Sequence, residues 1–302
     1  MTSDDVAELS VGVIGPGRVG TALALALADA GHTVVAVAGR AGADDAAASR
    51  FAAAVPVTRV TTPSRVTAGA DLVLLTVGDD DLPAVVRELA ADAAVRPGVH
   101  VVHTSGRHGS GVLRPLALAG ARVAACHPAQ TFPTPAAGRR DLPGTAWAVT
   151  TAPDDRAWAH ALVATLGGEA VDVREVDRVR YHAALSVGAN GTSAVVALAR
   201  DLLLAAGIAE PGRFLTPLVT SSAGNAAEHG AAALTGPVRR GDRATVHAHL
   251  ADLRVVLPEA VPAYRALARL ALSYARRAGL DEERAGAIRS ILDAEEGDAG
   301  HR

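Results

Sequence analysis

One stretch near the N-terminus limits the possible folds more than any other. Val11-Gly12-Val13-Ile14 runs directly into Gly15-Pro16-Gly17-Arg18-Val19-Gly20, followed by an Ala/Leu-rich stretch over 21–30 that ends at Gly31. In a strand–turn–helix of this kind the first glycine makes the tight turn, the second lets backbone approach a pyrophosphate, and the third lets helix pack on strand. The helix N-terminus then faces the anion with free N–H groups. GxGxxG alone is common, but here strand, loop, helix and a second strand fall where the motif requires them. Gly15, Pro16, Gly17, Arg18, Val19 and Gly20 are therefore candidate cofactor-binding residues.

The same alternation continues downstream. Strand-length apolar runs over 11–15, 33–38, 71–77, 99–103, 121–126, 145–150 and 170–174 are separated by helix-length segments, and a shorter run lies at 57–60. This is the pattern of βαβ units around a parallel sheet. From Asp177 onward the pattern is long and helical, broken at Pro211-Gly212, Gly236-Pro237 and Pro258. The expected organisation is an α/β dinucleotide-binding domain over 1–176 followed by an all-α domain over 177–302 for substrate binding and dimerisation. The acidic stretch after Asp293 is expected to fray.

Composition narrows the chemistry. All 29 basic residues are arginine, so mechanisms that use lysine as Schiff base, general acid or nucleophile are excluded. A net charge of -3 offers no field for a polyphosphate backbone, and nucleic acid is not an expected partner. Cys126 is the single cysteine, so no intrachain disulfide forms, which fits a reducing cytoplasm. It reads as a core thiol. The most apolar long segment, 183–199, is short for a membrane span and carries Asn190, Thr192 and Ser193, so neither a span nor an export signal is expected. His247 and His249 lie two apart and point to different helix faces, and no metal is expected.

Three polar segments fall at strand ends, where open α/β sheets bind ligands. The second strand ends in Gly39-Arg40 rather than in an acid. A guanidinium there suits a 2′-phosphate, which favours NADP over NAD, unless Arg40 is a solvated loop residue. Val77 and Gly78 allow close approach of the cofactor, and Asp79 to Asp81 read as caps of the next helix. Thr104 and Ser105 would lie near the nicotinamide. The third segment is Cys126-His127-Pro128-Ala129-Gln130. The residue before proline is held extended, which fixes the His127 imidazole at the sheet edge, within reach of Ser105 if their strands are adjacent. His127 and Ser105 are candidate catalytic residues and Gln130 a candidate substrate contact. The bland alternative is a histidine satisfied by backbone carbonyls. Further on, His182, Ser186 and Asn190 are spaced by four along one helix face. His182 and Asn190 are read as catalytic candidates and Ser186 as a substrate contact, against the alternative of bonds to neighbouring helices. In Gly236-Pro237-Val238-Arg239-Arg240-Gly241-Asp242, Asp242 reads as a helix cap and Arg239 or Arg240 as a fork for a carboxylate, with Arg240 the candidate substrate contact, against a solvated surface turn.

Together these segments resemble the 6-phosphogluconate dehydrogenase-like superfamily, in which a Rossmann domain precedes a helical dimerisation domain. Within it they are similar to an actinobacterial branch that joins a Rossmann-like domain to a C-terminal domain of unknown function. The resemblance covers the glycine loop, the segment from Thr76, His103 to Gly106, His127 to Phe132, Tyr181 to Asn190 and Leu234 to Asp242. Prephenate dehydrogenases of this superfamily carry a similar His-Pro whose histidine meets the substrate hydroxyl, which implies a substrate role for His127. Hydroxyacid dehydrogenases and ketopantoate reductases of this architecture use a lysine four residues before an asparagine. Here Ser186 stands in that place, so their standard mechanism is closed. Pyrroline carboxylate reductases work without it, so imine reduction stays open. The expectation is an NADP(H)-dependent oxidoreductase, a cytoplasmic homodimer acting on a carbonyl or imine carbon of a small acidic metabolite. The alternative is a dinucleotide-binding sensor that has lost catalysis.

Overall fold

The computed structural model describes residues 8–40, 45–55 and 58–294. Within them, eight strands form one sheet: β1 (Ser10–Ile14), β2 (Thr33–Ala38), β3 (Arg59–Val60), β4 (Leu72–Leu75), β5 (His100–His103), β6 (Arg122–Pro128), β7 (Ala146–Thr151) and β8 (Glu169–Asp172). Their spatial order is β3-β2-β1-β4-β5-β6-β7-β8. The first six are parallel. The order therefore reverses between β1 and β4, the kind of switch point outside which doubly wound sheets bind ligands.

Connecting helices cover both faces. α1 (Arg18–Asp29), α2 (Ala46–Ala54), α3 (Pro63–Gly69), α4 (Leu82–Ala91), α5 (Arg114–Leu118), α6 (Pro135–Arg140) and α7 (Arg156–Thr165) follow in chain order. Alternation along the strands decides which residue meets which layer. Val11, Val13, Leu72, Leu74, Val102, Ala124 and Cys126 pack with Leu23 and Leu27 of α1 and Leu162 of α7. Ile14, Val73, Leu75, Val101 and Val123 pack on the other face with Val66 of α3, Val86 of α4 and Leu116 of α5. Burial on both faces explains the near-continuous apolar runs in the sequence.

Some elements differ from the sequence reading. The run expected over 71–77 stops at Leu75, because Thr76 turns its hydroxyl onto the Gly15 carbonyl at 2.6 Å. The run expected over 121–126 extends to Pro128, because β7 pairs with it and sets Pro128 against Trp147. That pairing is antiparallel. Between β6 and β7 lies only the short α6, too short for the crossover a parallel pair needs. Of the run expected over 57–60, Arg59–Val60 is strand, and Val57 lies outside the described residues.

By compactness the chain divides into Met1–Ala189 and Asn190–Arg302. The expected boundary near Asp177 coincides with the head of α8 (Arg178–Ser186). The first residue of that helix is buried among the strand ends, and the division falls inside the π-turn Val187–Gly191. The second unit is helical: α9 (Thr192–Ala205), α10 (Gly212–His229), α11 (Pro237–Arg240), α12 (Arg243–Val256), α13 (Val261–Arg277) and α14 (Glu282–Asp293). Its core is Val246, Leu250 and Leu253 of α12, Val261, Ala268 and Leu272 of α13, and Ala285, Ile288 and Leu292 of α14. Asp242 caps α12 by accepting the Thr245 amide at 3.1 Å, as its place in the turn implied. Among the described residues, no helix is long and apolar enough to cross a membrane.

Candidate functional site

The three loop glycines occupy three different environments. Gly15 has φ +107°, and a Cβ there would lie 2.6 Å from the Thr76 carbonyl carbon, so only glycine makes this turn without strain. A Cβ at Gly20 would run into the Gly15 carbonyl oxygen and the Thr76 hydroxyl, which seats α1 directly on the strand ends. A Cβ at Gly17 would meet nothing within 4 Å. Gly17 is also the N-cap of α1 and brings no side-chain cap, so the first N–H groups of the helix receive no bond from an N-cap side chain. An anion is the natural partner for such groups. The cradle thus fits a pyrophosphate.

Arg40, just past β2, is 82% exposed and forms an ion pair with Asp81. Asp81 is the N-cap residue of α4 but makes no side-chain cap bond; its carboxylate is turned to Arg40 instead. The expected capping role is corrected on this point. Exposed pairs of this kind are weak, so Arg40 can exchange Asp81 for a phosphate. Arg18 reaches the Pro133 carbonyl at 3.5 Å. Pro16, Val19 and Val77 belong to the same edge, and Gly78 closes the turn by accepting the amides of Asp81 and Leu82 at 3.0 Å.

The loop after β5 is organised by His103, which is fully buried. Its Nδ1 accepts the Ser105 amide at 3.1 Å and its Nε2 meets the Gly109 carbonyl at 2.9 Å. That assigns the proton to Nε2, and burial pushes the ring pKa down to about 4. The result is a rigid turn that carries half-buried Thr104 and brings Gly106 against the histidines of the site. A Cβ at Gly106 would lie 2.8 Å from His182 Cδ2 and 3.0 Å from His127 Nε2.

His127, within β6, is mostly buried at the sheet edge. Its Nδ1 is 2.8 Å from the Tyr181 hydroxyl of α8, and the two rings meet edge to face at 5.6 Å. The His182 ring lies 6.5 Å away. Burial first, then the charge of Arg178 and that of His182, hold the His127 pKa down to about 4. Tyr181 is raised by its burial, and Arg178 opposes that rise. The hydrogen-bond neighbour of His127 is thus Tyr181, not Ser105. Ser105 Oγ instead accepts the His108 amide at 3.1 Å. Gln130 is also corrected: its amide donates to the Gly138 carbonyl at 2.9 Å and accepts from Thr145 at 3.1 Å. It clamps the segment after Pro128 rather than facing outward. Cys126 is buried and its thiol is pushed up to about 12, which agrees with a core role.

The stripe His182, Ser186, Asn190 assumed an unbroken α-helix. The π-turn at Val187–Gly191 inserts extra backbone between Ser186 and Asn190, so their common face is not maintained. Ser186 ends α8, while Asn190 and exposed Arg240 belong to the second unit. There Arg239 donates to the Ala278 carbonyl at 2.9 Å. Among the described residues, no group of three metal-ligating side chains comes together.

Two residues of the site escaped the sequence reading as functional side chains, Tyr181 and Arg178. Arg178 is 1% exposed and bonded to Thr150, Ala125 and Ala148. One signal was present: a cation opening a helix opposes the helix dipole and calls for an explanation.

Fold and site define a class: a doubly wound sheet domain with a glycine turn at its switch point, joined to a helical domain. Residues 2–128 match the family model of the Rossmann-like domain, and residues 145–271 that of the domain of unknown function DUF2520. The chain is a protein that joins these two domains. No curated protein matches it. Among solved structures, it is similar to a proposed NADP oxidoreductase of Bacteroides fragilis, with 24% identity, TM-score 0.73, and coverage of 87% of this chain and 98% of that one. It is similar to the reductive aminase of Aspergillus terreus in complex with NADPH and ethyl levulinate, with 18% identity, TM-score 0.58, and coverage of 98% and 97%. A pyrroline-5-carboxylate reductase of Coxiella burnetii shares 14% identity at TM-score 0.55, over 94% of this chain and 99% of that one. At these identities the likeness is one of fold.

Proposed function

We propose that the chain is an NADP(H)-dependent oxidoreductase acting on a carbonyl or imine carbon of a small acidic metabolite. One observation carries this reading: the open glycine cradle at the end of β1 and His127 of β6, paired with Tyr181 of α8, lie on the same edge of the sheet, with the ends of β4 and β5 between them. Gly15, Gly17, Gly20 and the head of α1 would hold the pyrophosphate, Arg40 the 2′-phosphate, and Val77, Gly78 and Thr104 would border the nicotinamide half. The cofactor, when bound, supplies hydride transfer; the protein supplies orientation and the proton.

His127 is placed to hold the substrate oxygen or nitrogen and move a proton at its Nε2. His182 approaches the same side of Gly106 as His127. Asn190 and Arg240 belong to the helical unit, and we read exposed Arg240 there as a group able to hold a carboxylate. The named complex of the aminase with NADPH, and the reductase activity in the name of the Coxiella protein, support a reading as a reductase of C=O or C=N. We also read the protein as a homodimer, because α9 and α10 carry exposed Val195, Leu204, Phe214 and Leu218 and have no buried residue; the free Cys126 fits a reducing cytoplasm.

The test is turnover. NADPH oxidation across a panel of keto acids and cyclic imines is expected for at least one substrate. His127→Ala should lower kcat by about 10²- to 10⁴-fold, with NADPH affinity held within about twofold. His127→Asn should recover little, since an amide cannot exchange a proton near neutral pH. Tight cofactor binding with no turnover on any member of the panel refutes the assignment and leaves a sensor.

A further inference from the structure

Folding alone gives a poor account of Arg178. Its Nε donates to Thr150 Oγ1 at 2.7 Å, its Nη2 to the carbonyls of Ala125 and Ala148 at 2.9 and 3.0 Å, and its Nη1 points at the Ser105 carbonyl at 3.4 Å. Every partner is neutral, and among the described residues no carboxylate forms an ion pair with it. The adjacent Asp177 is taken by Arg174 and Arg180. Glu175 turns to the Gly111 amide at 3.2 Å. A buried charge without a counter-ion is expensive, and this one also sits at the positive end of a helix dipole. One turn along α8, the Tyr181 ring centroid lies 5.9 Å from the guanidinium carbon. The Tyr181 hydroxyl in turn meets His127 Nδ1 at 2.8 Å.

We propose that Arg178 is the fixed counter-charge for a negative charge that forms on Tyr181 when a proton passes from Tyr181 through His127 to the substrate. The proposal rests on the oxidoreductase reading above. In the reducing direction, bound NADPH supplies the hydride to carbon. The His127 Nε2–H bond breaks as the substrate O–H or N–H bond forms. The Tyr181 O–H bond breaks as Nδ1–H forms, so the imidazole is neutral before and after and has changed tautomer. After product leaves, the phenolate beside Arg178 takes its proton back from Nδ1 while Nε2 takes one from water, which restores the starting tautomer and releases hydroxide to solvent. This removes a difficulty in the site: a histidine with its pKa pushed down to about 4 carries almost no imidazolium at neutral pH, whereas a relay needs only the neutral ring. The groups facing His127 are Tyr181, His182 and Arg178 on α8 and, from the turn after β4, Asp79. Arg178 and His127 face Tyr181. Arg178 is on this account a positioning residue, since it touches neither substrate nor cofactor.

Two measurements on the whole chain test this without a substrate. Nitrogen-15 spectra of the histidine rings, with His127 assigned by its loss in His127→Gln, should show the wild-type ring protonated on Nε2 at pH 7. A ring protonated on Nδ1 overturns the relay. Difluorotyrosine at position 181, whose phenol ionises near neutrality, reads Arg178 directly. Arg178→Met should raise its midpoint by about one pH unit or more, and Arg178→Lys should restore it to within about 0.3. An unmoved midpoint overturns the proposal. If Arg178→Met does not fold, Arg178→Gln, which keeps hydrogen-bonding groups without the charge, takes its place: a raised midpoint supports the proposal and an unmoved one overturns it. Failure of the wild type to bind NADPH would refute the oxidoreductase reading while leaving the tautomer as it is, so the two readings fail separately.

Discussion

Alanine at Gly17 and alanine at Gly20 should fail in opposite ways. At Gly17 the backbone is extended, with φ -81° and ψ -171°, which any L-residue adopts. An added Cβ there meets nothing within 4 Å. Stability then reflects two small opposing effects: a loss of about 0.5 kcal/mol because alanine is a poorer N-cap than glycine, and a gain of about 0.4–1 kcal/mol because alanine is less free in the unfolded chain. The expected change in Tm is within about 2 °C. The methyl, however, stands where a phosphate must approach backbone. Loss of one charge-assisted hydrogen bond is worth about 1.5–3 kcal/mol, or about 10- to 100-fold in NADPH affinity. At Gly20 the methyl strikes the Gly15 carbonyl, which belongs to the turn and cannot swing away. Overpacking of this kind costs about 1–3 kcal/mol, so Tm should fall by about 3–10 °C. Thermal melts give the first quantity and NADPH fluorescence titration the second. Wild-type NADPH affinity in Gly17→Ala, or a Gly20→Ala protein as stable as the wild type, would refute the account of the loop.

Three further outcomes follow from the same structure. Arg40→Ala should remove any preference for NADPH over NADH, whereas Asp81→Asn, which frees Arg40 from its ion pair, should tighten NADPH by about two- to fivefold; titration of both cofactors shows whether either change is absent. Stability should fall below neutral pH, because the folded His103 titrates at about 4 and the unfolded ring near 6.5. The unfolded chain therefore binds the extra proton in that window, and urea denaturation should show a loss of about 2 kcal/mol per buried histidine between pH 6.5 and 5, flattened in His103→Asn. Sedimentation should give a dimer that Phe214→Glu and Leu218→Glu together dissociate, since both side chains are exposed on α10; a strict monomer of the wild type at micromolar concentration would contradict the dimer.

The sequence by itself determined the local elements of the sheet domain. Strand β2 falls at 33–38 as the apolar run placed it, and each loop glycine has a role that backbone sterics dictate from spacing alone. The change from short apolar runs to long helical segments separated the two halves for the same reason: the pattern of burial is written residue by residue. It also placed His127 at the end of a strand and Asp242 at the head of a helix, because proline geometry and helix capping act over two or three residues. Tertiary structure decided the partners. Nothing local says that His127 meets Tyr181 across 54 positions of chain, that Gln130 spends its amide on Gly138 and Thr145, or that Asp81 leaves its helix to pair with Arg40. Strand order brings those groups together, and a side chain with two possible partners takes the one the packing puts within 3 Å. Arg178 marks the limit most clearly: the same arginine would be a solvated charge on an exposed helix, and only the convergence of β6, β7 and the loop after β5 around it makes a buried cation.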